Sequence, residues 1–101
     1  MDAFAAVADP TRRRILVELR TRERTVGELV EALALNQPTV SKHLRVLRDA
    51  RLVVSRVDAQ RRHYRVDPTG MREVDDWISA FRRLWTDRLD ALEAHLDRRR
   101  R

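Results

Sequence analysis

Cysteine is absent from this chain of 101 residues, and glycine occurs only twice. Without cysteine the chain can form neither a disulfide framework nor a thiolate metal site, and the composition suits a reducing cytoplasm. Two glycines provide no glycine-rich phosphate-binding loop, and the three histidines lie far apart with no H-E-x-x-H spacing. These absences argue against an enzyme, so we expect no catalytic residue and no cofactor.

Long hydrophobic runs are also missing, since the longest apolar runs span only a few residues. Residues 1–7 lack a basic region followed by a hydrophobic stretch, so we expect neither a signal peptide nor a membrane span. The expected location is therefore the cytoplasm, without contact to a membrane. Chains of this length usually form one domain, so we predict a single domain over residues 1–101. Its core would be small and would benefit from oligomerisation.

Positive charge is in excess, and the excess lies in one segment. Residues 37–66 contain eight basic and two acidic residues, which accounts for the whole formal net charge of +6. The remainder of the chain contains 14 residues of each sign. Positive charge localised in this way is typical of a surface that contacts the phosphates of a nucleic acid.

The basic segment begins with a stretch of helical periodicity, NQPTVSKHLRVLRDAR, at residues 36–51. Val40, Leu44 and Leu47 fall on one apolar stripe, whereas Lys42 and Arg45 fall on the other side. Just before it, TVGE at residues 25–28 has the form of a capping box and predicts a helix ending near residue 34. Two helices joined by so short a connection predict a helix-turn-helix, with a simple helical hairpin as the alternative.

After residue 51 the pattern changes to alternation, which predicts a β-hairpin, or wing, over about residues 52–66. If Val57 pairs with Arg62, then Val53, Val57, Tyr64 and Val66 share the inner face. A four-residue loop over residues 58–61 is expected, because Ala59 and Gln60 are unfavourable in a two-residue turn.

Two further helices precede the helix-turn-helix. The alanine-rich residues 3–8 predict a brief helix, and Asp9 with Pro10 predicts a second helix start, with that helix ending near residue 20. Arg12, Arg13 and Arg14 cluster near this second start. Contact with phosphate and pairing with nearby acidic residues are equally good interpretations of these three arginines.

The last helix is predicted over about residues 69–98, after a cap at Asp67 and Pro68. It would extend roughly 40 Å, whereas a domain of this size has a radius of gyration of only about 13 Å. Its apolar stripe would be exposed unless a second chain covers it. We therefore predict a two-fold homodimer packed through this dimerisation helix and the first helix, with interface residues Phe4, Val7, Trp77, Phe81, Trp85, Leu89 and Leu92.

This order of elements resembles the ArsR-type family of bacterial winged-helix repressors over essentially the full length. The matching motifs are ADPTRRRIL at residues 8–16, TVGEL at residues 25–29, QPTVSKHL at residues 37–44, and Tyr64 followed by Val66. The resemblance implies a mostly α-helical winged helix-turn-helix fold with a small β-hairpin. It also implies a dimeric repressor that leaves its operator when an inducer binds.

The chain departs from the metal-sensing branch of that family. Thr25 and Gly27 stand where its cysteine pair would lie, and neither residue supplies a thiolate. The last helix has Asp75, Asp76 and His95 without the companions that a zinc site needs. The resemblance is therefore to the cysteine-free branch, with no metal site and an inducer that the sequence leaves unknown.

The predicted function is sequence-specific recognition of double-stranded DNA by a dimeric repressor on an inverted-repeat operator; the alternative is a protein-interaction module with secondary DNA binding. The start of a recognition helix enters the major groove in this class of motif. His43, at the edge of the apolar stripe, is open between a DNA contact and a structural hydrogen bond. The candidate DNA contacts are Gln37, Pro38, Thr39, Ser41, Lys42, His43, Arg45, Arg56, Arg61 and Arg62.

Overall fold

Five α-helices and a three-stranded antiparallel sheet form residues 1–100, the part of the chain that the computed structural model describes. This mostly helical architecture with a small wing and a long last helix is the predicted fold class. In chain order the elements are α1 (Ala3–Val7), α2 (Pro10–Glu18), β1 (Arg24–Thr25), α3 (Val26–Leu33), α4 (Gln37–Asp49), β2 (Val53–Asp58), β3 (Arg61–Val66) and α5 (Pro68–Arg100).

Polar side chains cap the starts of α2, α3 and α4, and the sequence predicts the first two of these caps. The Asp9 carboxylate accepts two backbone N–H groups at the start of α2, at 2.8 and 3.1 Å. Thr25 and Glu28 form the reciprocal capping box of α3, with hydrogen bonds of 3.2 and 3.0 Å. The Asn36 side chain accepts the backbone N–H of Thr39 at 2.9 Å and so starts α4. Each cap satisfies N–H groups that the first helical turn leaves free.

The core lies between α2, α3, α4 and the start of the sheet. The predicted stripe of α4 is buried, with Val40, Leu44 and Leu47 each at most 1% exposed. Complete burial of such a side chain stabilises the fold by about 1.5–3 kcal/mol. The burial of these three side chains fixes the rotation of α4 about its own axis. The largest fully buried side chains are Ile15, Leu29, Val40, Leu44, Leu47, Leu52 and Val53.

The sheet has the strand order β1-β3-β2, and Val57 pairs with Arg62 as predicted. Strand β1 was not expected from the sequence, because two residues are too few to show a period-two pattern. Its Thr25 pairs with His63, which attaches the wing to the start of α3. The register places Val57 on the same face of the hairpin as Val53 and Tyr64. It lies beyond the core, however, with 62% of its surface exposed.

The turn of the wing differs from the expected four-residue loop. Asp58 still pairs with Arg61, so only Ala59 and Gln60 form the turn. Ala59 adopts a φ of 57°, in the left-handed region. Tight two-residue hairpin turns use positive φ because it matches the twist of the strands. Continued strand pairing therefore outweighs the cost of roughly 1–2 kcal/mol for a non-glycine residue in this conformation.

Helix α5 projects far from the rest of the molecule. Its 33 residues extend about 50 Å at the standard rise, and the radius of gyration is 18.7 Å. Near its start Gly70 is buried and donates its backbone N–H to the carbonyl of Arg51 at 2.7 Å. Every residue from 80 to 100 is exposed. None of the described helices has an apolar stretch long enough to span a membrane.

Candidate nucleic-acid interface

The start of α4 presents most of the predicted DNA-contacting residues on one exposed face. Val40, Leu44 and Leu47 turn inward, so the residues between them turn outward. Thr39 is half-buried, and its backbone N–H is used by the Asn36 cap. The exposed members of the predicted set on α4 are Gln37, Pro38, Ser41, Lys42 and Arg45.

The connection before α4 is as short as the sequence predicts. Helix α3 ends at Leu33, and the next residue, Ala34, caps it in the left-handed conformation with a φ of 55° and donates its N–H to the carbonyl of Val30. The backbone N–H of Leu35 also bonds to that carbonyl, at 3.3 Å. Asn36 then caps α4, so the two helices form the predicted helix-turn-helix.

The tip of the wing lies beside the start of α4. Arg61, Arg62 and Gln37 line the same open depression, whose other wall includes Glu28 and Glu31 of α3. The structure therefore brings together residues that are more than 20 positions apart in sequence. We call the exposed cations of α4 and the wing the basic surface, which is defined by Lys42, Arg45, Arg48, Arg61, Arg62 and Arg65.

Arg56, another predicted contact on the wing, is held by a carboxylate. Its Nε donates to both carboxylate oxygens of Glu23, at 3.0 and 3.2 Å, and its Nη2 donates to the same group. These hydrogen bonds lower the pKa of Glu23 and raise the pKa of Arg56. A phosphate must displace Glu23 to use this arginine. Sequence reasoning missed Glu23, because a partner 33 residues away leaves no local pattern.

His43 is half-buried on the side of α4 that faces α2. Its Nδ1 lies 3.4 Å from Nη1 of Arg12. Of the two roles considered for His43, this short distance supports the structural hydrogen bond. A contact of this residue with DNA stays a prediction.

The three arginines near the start of α2 donate to the ends of other helices. Arg12 and Arg13 donate to the last carbonyls of α1, at 2.7 and 3.0 Å. Arg14 donates to the carbonyl of Leu33, the last residue of α3, at 3.2 Å. Within residues 1–100 none of these three arginines forms an ion pair with an acidic side chain, and their contact with phosphate stays a prediction. Backbone carbonyls at a helix end are free acceptors, and the fold places these guanidinium groups beside them.

The predicted interface residues form an apolar face that this chain leaves largely uncovered. Phe4 packs edge-on against Trp77 with ring centroids 5.8 Å apart, and Trp77 packs against Phe81 at 4.7 Å. Val7 is half-buried against the core. The exposed fractions of the remaining members are 57% for Trp77, 52% for Phe81, 67% for Trp85, 55% for Leu89 and 54% for Leu92.

The residues considered for metal binding have other roles in the fold. Thr25 caps α3, and Gly27 has no side chain. On α5 the Asp75 carboxylate pairs with Arg82 at 3.3 Å. Within residues 1–100 no three histidine or acidic side chains converge to hold a metal ion.

A helix-turn-helix with an exposed first turn, followed by a basic β-hairpin, defines a winged helix-turn-helix protein of the DNA-binding class. The family model for the bacterial regulatory proteins of the arsR family matches residues 9–55. The HTH-type transcriptional regulator Rv2034 of Mycobacterium tuberculosis is 40% identical over 95 residues, covering 94% of this chain and 86% of that protein. The transcriptional repressor SdpR of Bacillus subtilis is 30% identical over 80 residues, covering 79% and 89%.

Solved structures agree with these sequence relatives. The crystal structure of a possible transcriptional regulator for arsenical resistance superposes with a TM-score of 0.75 and 36% identity, covering 86% of this chain and 96% of that one. The chain therefore belongs to the ArsR family of bacterial regulatory proteins. It is a DNA-binding transcriptional regulator and not an enzyme, as the sequence led us to expect.

Proposed function

We propose that the protein is a homodimeric repressor that binds an inverted-repeat operator through α4 and the wing. The single observation that carries this proposal is the location of charge. The segment that holds the entire net charge of +6 folds into α4 and the wing. Release of counterions from DNA phosphates by such a surface is the main sequence-independent source of affinity.

The first two turns of α4 are the proposed readers of base sequence. Gln37 can form paired hydrogen bonds with adenine, and Lys42 or Arg45 can donate to guanine or to phosphate. Thr39 and Ser41 can bond to a base edge or a phosphate, and Pro38 can pack against a thymine methyl group. All except Thr39 are exposed, which supports these assignments.

The wing is the proposed second contact. Arg61, next to the turn, would enter the minor groove beside the major groove proposed for α4, and Arg62 would contact the backbone. Within residues 1–100 no ion pair occupies Lys42, Arg45 or Arg61, so their charges face solvent. Arg56 would join this set only after exchanging Glu23 for a phosphate.

A second copy of this chain is the proposed cover for the apolar face of α5 and α1. A two-fold pair would present two copies of α4, and such pairs bind half-sites about 34 Å apart, one turn of DNA. The chain would act in the cytoplasm, where bacterial DNA lies. Repression would follow from occupancy of a promoter, and the name of the relative SdpR as a repressor supports this direction.

The proposal is tested by selecting bound fragments from the source genome and measuring affinity for the recovered site and a scrambled duplex at matched salt. We expect an inverted repeat and a specific affinity about 1000-fold or more above the scrambled duplex. Equal affinity for both duplexes would contradict the proposal. Sedimentation equilibrium at micromolar concentration should give a dimer, and a monomer would remove the two-fold model.

Charge reversal on the basic surface sharpens the test. Lys42→Glu combined with Arg61→Glu should abolish detectable specific binding while leaving the dimer intact. Arg98→Glu combined with Arg99→Glu, an equal change of net charge on the last turns of α5, is the matched control and should leave affinity within about twofold. Retained DNA binding in the double variant would show that another surface contacts DNA. Under the protein-interaction alternative, a protein complex formed through α5 would stay intact in the double variant although DNA binding is lost.

A further inference from the structure

Arg12 lies where α1, α2 and α4 meet. Its Nε donates to the carbonyl of Ala6 at 2.7 Å and its Nη2 to that of Ala5 at 3.4 Å. The remaining terminal nitrogen, Nη1, lies 3.4 Å from Nδ1 of His43 on α4. One guanidinium therefore joins the end of the first helix to the recognition helix.

The chemistry of the two groups decides which nitrogen of His43 carries the proton. A guanidinium has only N–H donors and no acceptor, so Nδ1 of His43 must be the acceptor of this bond. An imidazole with a bare Nδ1 carries its proton on Nε2. The opposite tautomer would place an N–H of the ring against an N–H of Arg12.

The Nε2 atom of His43 is open to solvent. Among residues 1–100 no side-chain nitrogen or oxygen is buried without a hydrogen-bond partner. His43 is only half-buried, and its recorded hydrogen bond uses the other ring nitrogen. The Nε2–H donor is thus free at the surface, next to Lys42 and one turn after Thr39.

We propose that Arg12 is a positioning residue of the DNA-binding surface, which fixes the ring of His43 so that Nε2–H donates to a backbone phosphate. This hydrogen bond places α4 in register along the groove without reading a base. The inference depends on one part of the proposed function, the contact of α4 with DNA. It gives His43 both roles, a structural bond on one ring nitrogen and a DNA contact on the other.

Asp9 supports this arrangement from the start of α2. Its carboxylate accepts the backbone N–H of Arg12 at 3.1 Å, and this hydrogen bond is the largest cause that lowers the pKa of Asp9. The cap fixes the first turn of α2 and therefore the position from which Arg12 reaches α4.

Arg13 provides a matched control for Arg12. It also lies on α2 and donates to carbonyls at the end of α1, those of Val7 and Ala8, both at 3.0 Å. Its recorded hydrogen bonds do not reach α4. Arg12→Gln and Arg13→Gln each remove one guanidinium from the end of α1, but only the first removes the bond to His43.

Nitrogen-15 spectra of the imidazoles in the full chain test the bond without DNA. We expect His43 to give the signals of the Nε2–H tautomer in the wild type and in Arg13→Gln, and a mixture of tautomers in Arg12→Gln. An Nδ1–H tautomer in the wild type would overturn the inference. Because this measurement needs no operator, it stays informative even if the proposed repressor function fails.

Operator affinity tests whether the bond between Arg12 and His43 contributes to DNA binding. Loss of a hydrogen bond to a charged group predicts about tenfold weaker binding for Arg12→Gln, against less than twofold for Arg13→Gln. The dependence of affinity on salt should keep its slope, whereas a phosphate contact by Arg12 itself would lower the slope by about 0.9. Equal losses in the two variants, or that lower slope, would overturn the positioning role.

Substitutions at His43 keep the inference testable if Arg12→Gln fails to fold. The amide of glutamine reaches about as far as Nε2, whereas that of asparagine reaches only as far as Nδ1. We therefore expect His43→Gln to retain more affinity than His43→Asn. Adding Arg12→Lys to His43→Asn should cause no further loss, because the two residues act through one contact. The reverse order of the two variants, or additive losses, would contradict the proposal.

Discussion

Helices α4 and α5 are both amphipathic, yet they expose opposite kinds of surface. The apolar side of α4 is buried, with Val40 and Leu47 at 0% exposure, and its free side is polar and basic. The apolar side of α5 is free, with Trp85 at 67% and Leu89 at 55% exposure. A free polar face suits a polyanion, and a free apolar face suits another protein surface. The comparison separates the helix that we propose to contact DNA from the helix that we propose to contact a partner.

The two helices are joined at one close contact. A Cβ atom at Gly70, near the start of α5, would lie 2.5 Å from the carbonyl oxygen of Arg51, just past the end of α4. Only glycine permits this approach, so the direction of α5 is fixed relative to α4. A dimer formed through α5 would therefore also fix the spacing between its two recognition helices.

The largest expected effect comes from placing charge on the free face of α5. Leu89→Glu with Leu92→Glu should raise the dimer dissociation constant by about 100-fold or more, because two apolar side chains lose their burial. Sedimentation equilibrium measures this change, and operator affinity should fall with it. Ala94→Glu places a single glutamate on the opposite side of α5 and should leave the dimer unchanged. Equal effects of the two changes would show that α5 has no preferred interface.

The contact at Gly70 gives the next largest effect. Gly70→Ala should lower the free energy of unfolding by about 3 kcal/mol, because the new methyl group overlaps backbone atoms that have little room to move. Urea unfolding at equal protein concentration measures the loss, with Thr69→Ala as the control at an exposed neighbour. Unchanged stability would mean that α5 does not pack against the end of α4.

The turn that orients α4 offers a smaller, stabilising change. Ala34 has a φ of 55°, which glycine adopts without the steric cost of a Cβ atom. Ala34→Gly should raise the free energy of unfolding by about 0.5–1 kcal/mol. Ala32→Gly, inside α3, should instead lower it by about 1 kcal/mol. Thermal unfolding distinguishes the two, and a destabilised Ala34→Gly would refute the left-handed conformation at this turn.

Removing the carboxylate that holds Arg56 tests whether this residue of the wing can contact DNA. Glu23→Gln should raise operator affinity by about twofold and steepen its salt dependence by up to about 0.9. Glu18→Gln is the control, since its carboxylate pairs with Arg24 at 3.6 Å and its loss changes the net charge equally. If both variants gain the same affinity, overall charge and not release of Arg56 is the cause.

The smallest effect concerns pH and the capping box of α3. The hydrogen bond from the backbone N–H of Thr25, followed by that from Arg22, lowers the pKa of Glu28 below its ordinary value of 4.5. A lowered pKa in the folded state stabilises the fold above the ordinary value, and this contribution is lost as the pH falls through the lowered value. Urea midpoints of Glu28→Gln and wild type should therefore differ at pH 7 and converge at acidic pH. Glu31→Gln, outside the box, should show no such convergence.

Much of the fold was predictable because its signals are local. The capping box at Thr25 and Glu28, the cap at Asn36 and the buried stripe of α4 all depend on residues within a few positions of one another. The alternation in the wing indicated two strands, and the register assumed for them, Val57 with Arg62, is the one that forms. The family was also recognisable from short motifs, and the relatives confirm it.

The features that the sequence did not predict depend on contacts between segments. Strand β1 forms only because β3 supplies its hydrogen bonds, and the two-residue turn at Ala59 forms because the strands pair to their ends. The guanidinium groups of Arg12 and Arg13 find carbonyls of another helix, and Arg56 finds Glu23. Each side chain has several reachable partners in an unfolded chain, so its own neighbourhood in sequence does not select one.

The sequence by itself determined which segments form helices and strands, and which face of each is apolar. It also located the excess positive charge, since counting charges needs no coordinates. The tertiary structure decided which cations stay free, which guanidinium groups hold helix ends, and how α5 leaves the domain at Gly70. The physical reason is the distance along the sequence over which each kind of interaction acts. Periodicity and capping act over one or two turns, whereas ion pairs and close backbone approaches depend on where the folded core brings distant residues together.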